Sequence, residues 1–223
     1  MIVAAGIFPR HMNTRWTAKQ KRCRRGQDGF GREIIFDGGI MSQQKTFPVD
    51  IGGVHRELPL IEVKPGMRIA VLNILGDTEL VQASAQALSK LMAERDYDVI
   101  VTAEAKSIPL AHAISVFSGK PYIILRKSYK PYMGDALQVE TLSITTGKPQ
   151  TLYLDVKDRE LMTGKRVMIV DDVISTGSTL QAMRLIITKA GATIAGEAAI
   201  FTEGERAKWA DIIALGHLPV FTD

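Results

Sequence analysis

From residue 41 onward, the spacing of apolar positions switches repeatedly between a two-residue and a 3.6-residue period. VHRELPLIEVKPGMRIAVLN (residues 54–73) holds two strand-like runs around Pro65-Gly66, which predicts a hairpin. Asp77 is placed to cap a helix over TELVQASAQALSKLMAERD, with Leu80, Ala83, Ala87, Leu88 and Leu91 on its apolar face. DVIVT (98–102) reads as a buried strand, SIPLAHAISVFSG as a helix ending at Gly119, and PYIILR (121–126) as the next strand. Residues 127–150 are polar and read as a long loop with a short strand pair. RVMIV (166–170) is a central strand. The helix after it, STLQAMRLIITKAG, turns Leu180, Met183, Ile187 and Ala190 to one side, with Gly191 as its C-cap. ATIAGEAAIFTEG gives another strand, and DIIALGHLPVF two short ones. This alternation predicts an α/β fold. Its central, mostly parallel sheet is flanked by helices, with ligands at the carboxyl ends of the strands.

Composition narrows the class. Hydrophobic residues make up 46% and charged residues 23% of the 223, ordinary values for a globular chain. The apolar runs are too short for a membrane span, and a cytosolic setting is expected. A single cysteine, Cys23, excludes an internal disulfide framework and a cysteine-based zinc site. The net charge of +4 comes from one end. Residues 1–40 hold eight Lys/Arg against three acids, whereas residues 41–223 hold 20 basic and 21 acidic side chains. The body of the chain therefore carries no electrostatic signature of nucleic-acid binding. KRCRR (21–25) fits a localisation or nucleic-acid patch. The preferred reading of residues 1–40 is a basic extension, disordered or upstream of a true start at Met41, with the domain spanning 41–223.

The chemistry concentrates in VMIVDDVISTGST (167–179). Ser175, Thr176, Gly177, Ser178 and Thr179 lie between a strand and a helix start, where free backbone N–H groups and the helix dipole favour an anion. An ordinary Ser/Thr-capped turn would read the same way. Asp171 and Asp172 decide between the two. Buried carboxylates need donors, and a ribose diol supplies a pair. The loop then holds a 5′-phosphate, and the aspartates take the 2′- and 3′-hydroxyls one sugar ring away. Their charge also favours positive charge developing at the anomeric carbon.

This stretch resembles the 5-phosphoribosyl 1-pyrophosphate (PRPP) motif of type I phosphoribosyltransferases, with Ser178 where the loop usually has Gly. VIVTAEAKSIP (99–109) resembles the family's pyrophosphate loop. The resemblance gives Lys106 to the pyrophosphate and places a strained peptide near Ala105-Lys106. ILRKSYKPYM (124–133) resembles the start of the flexible catalytic loop, which makes Arg126, Lys127 and Lys130 candidates for the pyrophosphate clamp. The resemblance covers residues 57–220. It implies a small hood beside the sheet, PRPP carrying Mg²⁺, a nucleobase as acceptor, closure of loop 127–142 over the site, and a homodimer.

The layout is most similar to adenine phosphoribosyltransferase, with a purine-salvage reaction giving AMP and pyrophosphate. Two departures stand against it. Thr145 falls where that family has a loop glutamate, and MRIAVLNILGD (67–77) has no aromatic to stack on the base. Ile69, Val71 or Ile74 would pack on the base instead, or Tyr129 and Tyr132 would cover it. Xanthine or another base stays open as acceptor. A rival reading is a PRPP-sensing domain of purine-gene regulators, which resembles this chain in the same motif and catalyses nothing. A third is a flavodoxin-like nucleotide binder. His112 reads as a packing or surface residue, and His55 and His217 have no metal-ligand spacing.

Overall fold

The computed structural model describes residues 45–142 and 149–222, all within the compact unit Met41–Asp223. Residues 1–40 and Thr145 lie outside the described residues. In chain order the elements are β1 (Thr46–Ile51), β2 (Val54–Lys64), β3 (Met67–Ala70), α1 (Thr78–Met92), β4 (Val99–Ala103), α2 (Ile108–Ser118), β5 (Tyr122–Leu125), β6 (Leu137–Leu142), β7 (Pro149–Leu154), α3 (Val156–Met162), β8 (Arg166–Ile174), α4 (Ser178–Lys189), β9 (Thr193–Glu203), β10 (Ile213–Leu218) and β11 (Val220–Thr222).

Five strands in the order β10-β9-β8-β4-β5 form a sheet in which every neighbour is parallel. Its central strands are apolar on both faces because helices cover both. Ile100, Met168 and Val170 point into a core shared with α1 and α2. Their neighbours Val99, Val101, Val167 and Ile169 point into a second core with α3, α4 and β7. Each such side chain contributes about 1.5–3 kcal/mol by leaving water.

The chain leaves β4 through α2 to reach β5 on one side of the sheet. It leaves β8 through α4 to reach β9 on the other. The carboxyl ends of β4 and β8 are therefore the point where strand order reverses, and a crevice opens between the loops diverging there.

The hood is a separate antiparallel sheet in the order β1-β2-β3-β11. The expected β2–β3 hairpin around Pro65-Gly66 is present. β11 does not extend the main sheet but pairs with β3, and Phe221 meets Phe47 edge-on at 5.4 Å. Arg56 on β2 binds both carboxylate oxygens of Asp77, at 2.8 and 2.9 Å, while Asp77 caps α1 by accepting the Leu80 N–H at 3.1 Å. One carboxylate thus joins the hood to the first helix.

Three expectations need correction. The buried face of α1 is Leu80, Val81, Ser84, Ala85, Leu88 and Met92, with Leu91 exposed. The strand expected to stop at Val170 runs on to Ile174 and carries both aspartates within it. The segment expected as loop 127–142 is already ordered over its second half. Met133 is buried, and β6 pairs with β7 from Leu137 onward.

Candidate functional site

Asp171 and Asp172 sit near the end of β8, at the reversal point of the sheet. They share a cavity of about 250 Å³ with Glu104, Lys106, Ser107, Lys127 and Thr179. A smaller, adjoining hollow is lined by Asp171 and residues 173–180, which include the whole small-residue loop. The pyrophosphate-loop candidates Ala105 and Lys106, the two aspartates and the Ser175–Thr179 cradle are thereby brought together.

Gly177 is the N-cap of α4, and its φ of +82° is one that only glycine adopts freely. The first turn of α4 contains no acid, so its N–H groups and dipole are left for an anion. Thr176 Oγ1 and Ser178 Oγ lie 3.2 Å apart across the turn. Thr179 Oγ1 is 3.3 Å from Gln150 Nε2, which ties the cradle to the β6–β7 hairpin.

Beneath the cradle lies a floor that the sequence did not reveal. Trp209 is buried, donates its indole N–H to Glu203 O at 2.9 Å and packs against Gly177. Lys208 lies 4.5 Å from the Trp209 ring centroid and donates to Thr176 O at 3.2 Å. These residues sit about thirty positions downstream of the loop, and no local pattern marks them.

The aspartates are held by Ser107. Its Oγ lies 2.7 Å from Asp171 Oδ1 and 3.0 Å from Asp172 Oδ1, and it accepts the Asp172 N–H at 3.0 Å. Burial, then the neighbouring charge of Asp172, pushes the Asp171 carboxyl up to about 7, while the Ser107 hydrogen bond pulls it down.

A cis peptide joins Glu104 and Ala105, one residue ahead of the expected position. Lys106 extends toward the connection between β3 and α1, its Nζ 3.4 Å from Leu72 O. Lys127 lines the cavity of the aspartates, and its backbone N–H donates to Glu104 Oε2 at 3.0 Å. Arg126 and Lys130 are placed differently from expectation. The Arg126 Nε is 3.3 Å from Glu104 Oε2, and its side chain lines a neighbouring cavity with Tyr132 and Asp155. Lys130 lines neither cavity of the site; its backbone N–H meets Met133 Sδ at the start of a 3-10 turn.

The aromatic covers also differ. Tyr132 belongs to the Arg126 cavity, and Tyr129 donates to Gly134 O at 3.1 Å. Ile74 is fully buried in the core. His112 is exposed and stacks edge-on with Tyr122, as expected of a surface residue.

The family model for the phosphoribosyl transferase domain matches residues 71–215, more than half of the chain. The chain belongs to this phosphoribosyltransferase family. It is 30% identical over 134 residues to the purine biosynthesis transcriptional repressor PurR of Bacillus subtilis, covering 60% of this chain and 46% of the repressor. It is 26% identical over 189 residues to the purine biosynthesis transcriptional activator PurR of Lactococcus lactis, covering 76% of this chain and 69% of the activator. It is 37% identical over 116 residues to a hypoxanthine/guanine phosphoribosyltransferase of Methanocella paludicola, covering 52% of this chain and 57% of the enzyme. This phosphoribosyltransferase chain thus spans about half the length of the first and third of these relatives. Among solved structures, adenine phosphoribosyltransferase from Thermoanaerobacter pseudethanolicus aligns with a TM-score of 0.56 at 21% identity, covering 78% of this chain and 95% of its own. That likeness is one of fold, and the fold is that of the type I phosphoribosyltransferases with a hood.

The charges of the main cavity bear on Mg²⁺. Glu104, Asp171 and Asp172 oppose only Lys106 and Lys127 there. A polyanion entering such a cavity fits best with a divalent cation already bound. Among the described residues no group of three or more His, Cys, Asp or Glu is arranged to hold a metal by itself. No described helix is long and apolar enough to cross a membrane.

Proposed function

We propose that this phosphoribosyltransferase transfers the 5-phosphoribosyl group of PRPP to a purine base, adenine foremost, releasing pyrophosphate. One observation supports this reading: paired aspartates, a small-residue helix start and a lysine-bearing turn line two adjoining cavities at the reversal point of the sheet, with Asp171, Val173 and Thr179 in the lining of both.

The cradle of Ser175, Thr176, Gly177, Ser178 and Thr179 binds the 5′-phosphate through backbone N–H groups and hydroxyls. Asp171 and Asp172 accept the 2′- and 3′-hydroxyls. Lys106 and Lys127 neutralise the pyrophosphate, and Arg126 acts on it through Glu104. The bond from the anomeric carbon to the pyrophosphate oxygen lengthens first, and the nearby carboxylates favour the positive charge that develops. The purine nitrogen then bonds to that carbon, and its proton passes to the departing pyrophosphate. Mg²⁺ bound to PRPP supplies further neutralisation of the leaving pyrophosphate. Exclusion of water from the crevice protects PRPP from hydrolysis. A homodimer in the cytoplasm belongs to the same reading.

A second reading has its own support. Relatives named as purine regulators match this chain, one of them over 76% of its length. Thr145 in place of a loop glutamate also suits a domain that binds PRPP without turning it over.

The deciding experiment offers adenine, hypoxanthine, guanine, xanthine and orotate separately with PRPP and Mg²⁺, and follows pyrophosphate release. Release with adenine is expected. Release with another base alone transfers the reading to that base. No release with any base, together with PRPP binding by calorimetry, establishes the regulator.

A further inference from the structure

We propose that Ser107 is a positioning residue, whose hydroxyl sets Asp171 and Asp172 side by side to receive a vicinal diol. Through it the turn facing the pyrophosphate is tied to the seat of the sugar. This rests on the reading of the two aspartates as that seat.

Ser107 occupies the N-cap position of α2, where a serine side chain ordinarily accepts an N–H of its own helix. Here it makes no such bond. That capping interaction is forgone, and the hydroxyl turns to residues 64 and 65 positions away. Ser107 is only 1% exposed, so water does not compete for that hydroxyl.

The contacts are specific to the carboxylate pair. Asp171 Oδ1 receives the Asp172 N–H at 2.9 Å and lies within reach of the Ser107 hydroxyl, while Asp172 Oδ1 is 3.0 Å from the same hydroxyl. The one Ser107 hydroxyl proton is thus shared between the two Oδ1 atoms, serving one at a time. Among the described residues no N–H or hydroxyl of the protein donates to either Oδ2. The two carboxyls also share a hydrogen bond in the free protein, and once that proton leaves, one oxygen on each remains for one hydroxyl of a diol. Without the Ser107 hydroxyl the two carboxyl groups lose the dipole between them, and each is freer to rotate away from its neighbour.

The test compares ribose 5-phosphate with 2-deoxyribose 5-phosphate, by calorimetry, on the full chain and on Ser107→Ala. The deoxy sugar reads the phosphate cradle, and the affinity ratio of the two sugars reads the diol seat. The native chain is expected to prefer ribose by about tenfold or more, the worth of one hydrogen bond to a charged group. In Ser107→Ala that preference should fall to about threefold or less, with deoxyribose 5-phosphate bound as tightly as before. An unchanged preference overturns the proposal. So does equal weakening of both sugars, which would make Ser107 a merely structural residue. If the native chain itself shows no preference, the diol reading beneath the proposal fails, and that result is distinct from the others.

Discussion

Trp209 fills the space where position 177 would carry a side chain: a Cβ on Gly177 would fall 2.7 Å from Trp209 Cη2. The left-handed backbone at Gly177 and the indole beneath it both require glycine. Gly177→Ala is therefore expected to lower stability by about 1–3 kcal/mol through strain and overpacking. Phosphate-ester affinity should fall by about tenfold or more as the α4 start shifts. Denaturant unfolding and a ribose 5-phosphate titration check the two effects. Native stability and affinity in the variant would show that the cradle does not rest on Trp209.

The same contact makes Trp209 a reporter. The only other tryptophan is Trp16, which lies outside the described residues. In a chain carrying Trp16→Phe, ribose 5-phosphate is expected to change Trp209 emission, because an anion above Thr176 alters the position of Lys208 over the ring. Pyrophosphate alone, which this reading seats at Lys106 and Lys127, should change it less. Equal responses to the two ligands would sink the assignment of the two ends of the crevice.

Asp171 gives the site a pH signature. Burial and Asp172 hold its carboxyl at about 7 in the free protein. A ribose diol donates to the ionised form, so PRPP binding expels a proton. Near pH 7 about half a proton should be released per PRPP bound, measured by calorimetry in buffers of different ionisation enthalpy. Stability follows with a defined sign. A carboxyl raised in the folded state contributes its full stability below its ordinary value, and that contribution is lost as pH rises through about 7. Asp171→Asn should therefore gain thermal stability relative to the native chain at pH 8 and gain none at pH 4, while losing diol preference. An identical pH dependence of melting in the two chains would contradict this.

What the sequence revealed divides by range. Asp171, Asp172 and the cradle were legible because strand, acids and small-residue loop are contiguous, and the helix start supplies the physics. Lys106 and Lys127 became candidates through the resemblance of their segments to the family's loops, and the structure places both on the cavity of the aspartates. Ser107 and Trp209 were not, because their roles arise from contacts across 64 and 32 positions. Arg126 was legible as a basic residue but not as the partner of Glu104, which sits on a different strand end. The face of α1 was misjudged because alanines at 83, 85 and 87 give the pattern little contrast. β1 was missed although Phe47, Val49 and Ile51 alternate with exposed Pro48 and Asp50, because a proline inside a short run argues against a strand; as an edge strand of the hood it tolerates Pro48. α3 was missed because only Met162 of its seven residues is buried.

Glu104 carries the last prediction. Its carboxylate lines the cavity that the proposed reading gives to pyrophosphate and accepts the Lys127 N–H. A negative charge there opposes a polyanion, and a bound divalent cation offsets that repulsion. Glu104→Gln keeps an oxygen for the Lys127 N–H while removing the charge. Pyrophosphate affinity at low Mg²⁺ should rise by about tenfold, ~1.4 kcal/mol, a modest share of the interaction between charges at this range. At saturating Mg²⁺ the gain should shrink, because the cation already screens the carboxylate. The loss of ion pairing with Arg126 acts in the same direction by freeing a guanidinium beside the cavity. Titrations of pyrophosphate across a range of Mg²⁺ concentrations check this, with Glu104→Asp retaining the charge as control. If Glu104→Gln binds pyrophosphate no better than the native chain at low Mg²⁺, the carboxylate does not face the anion, and the pyrophosphate end of the crevice lies elsewhere.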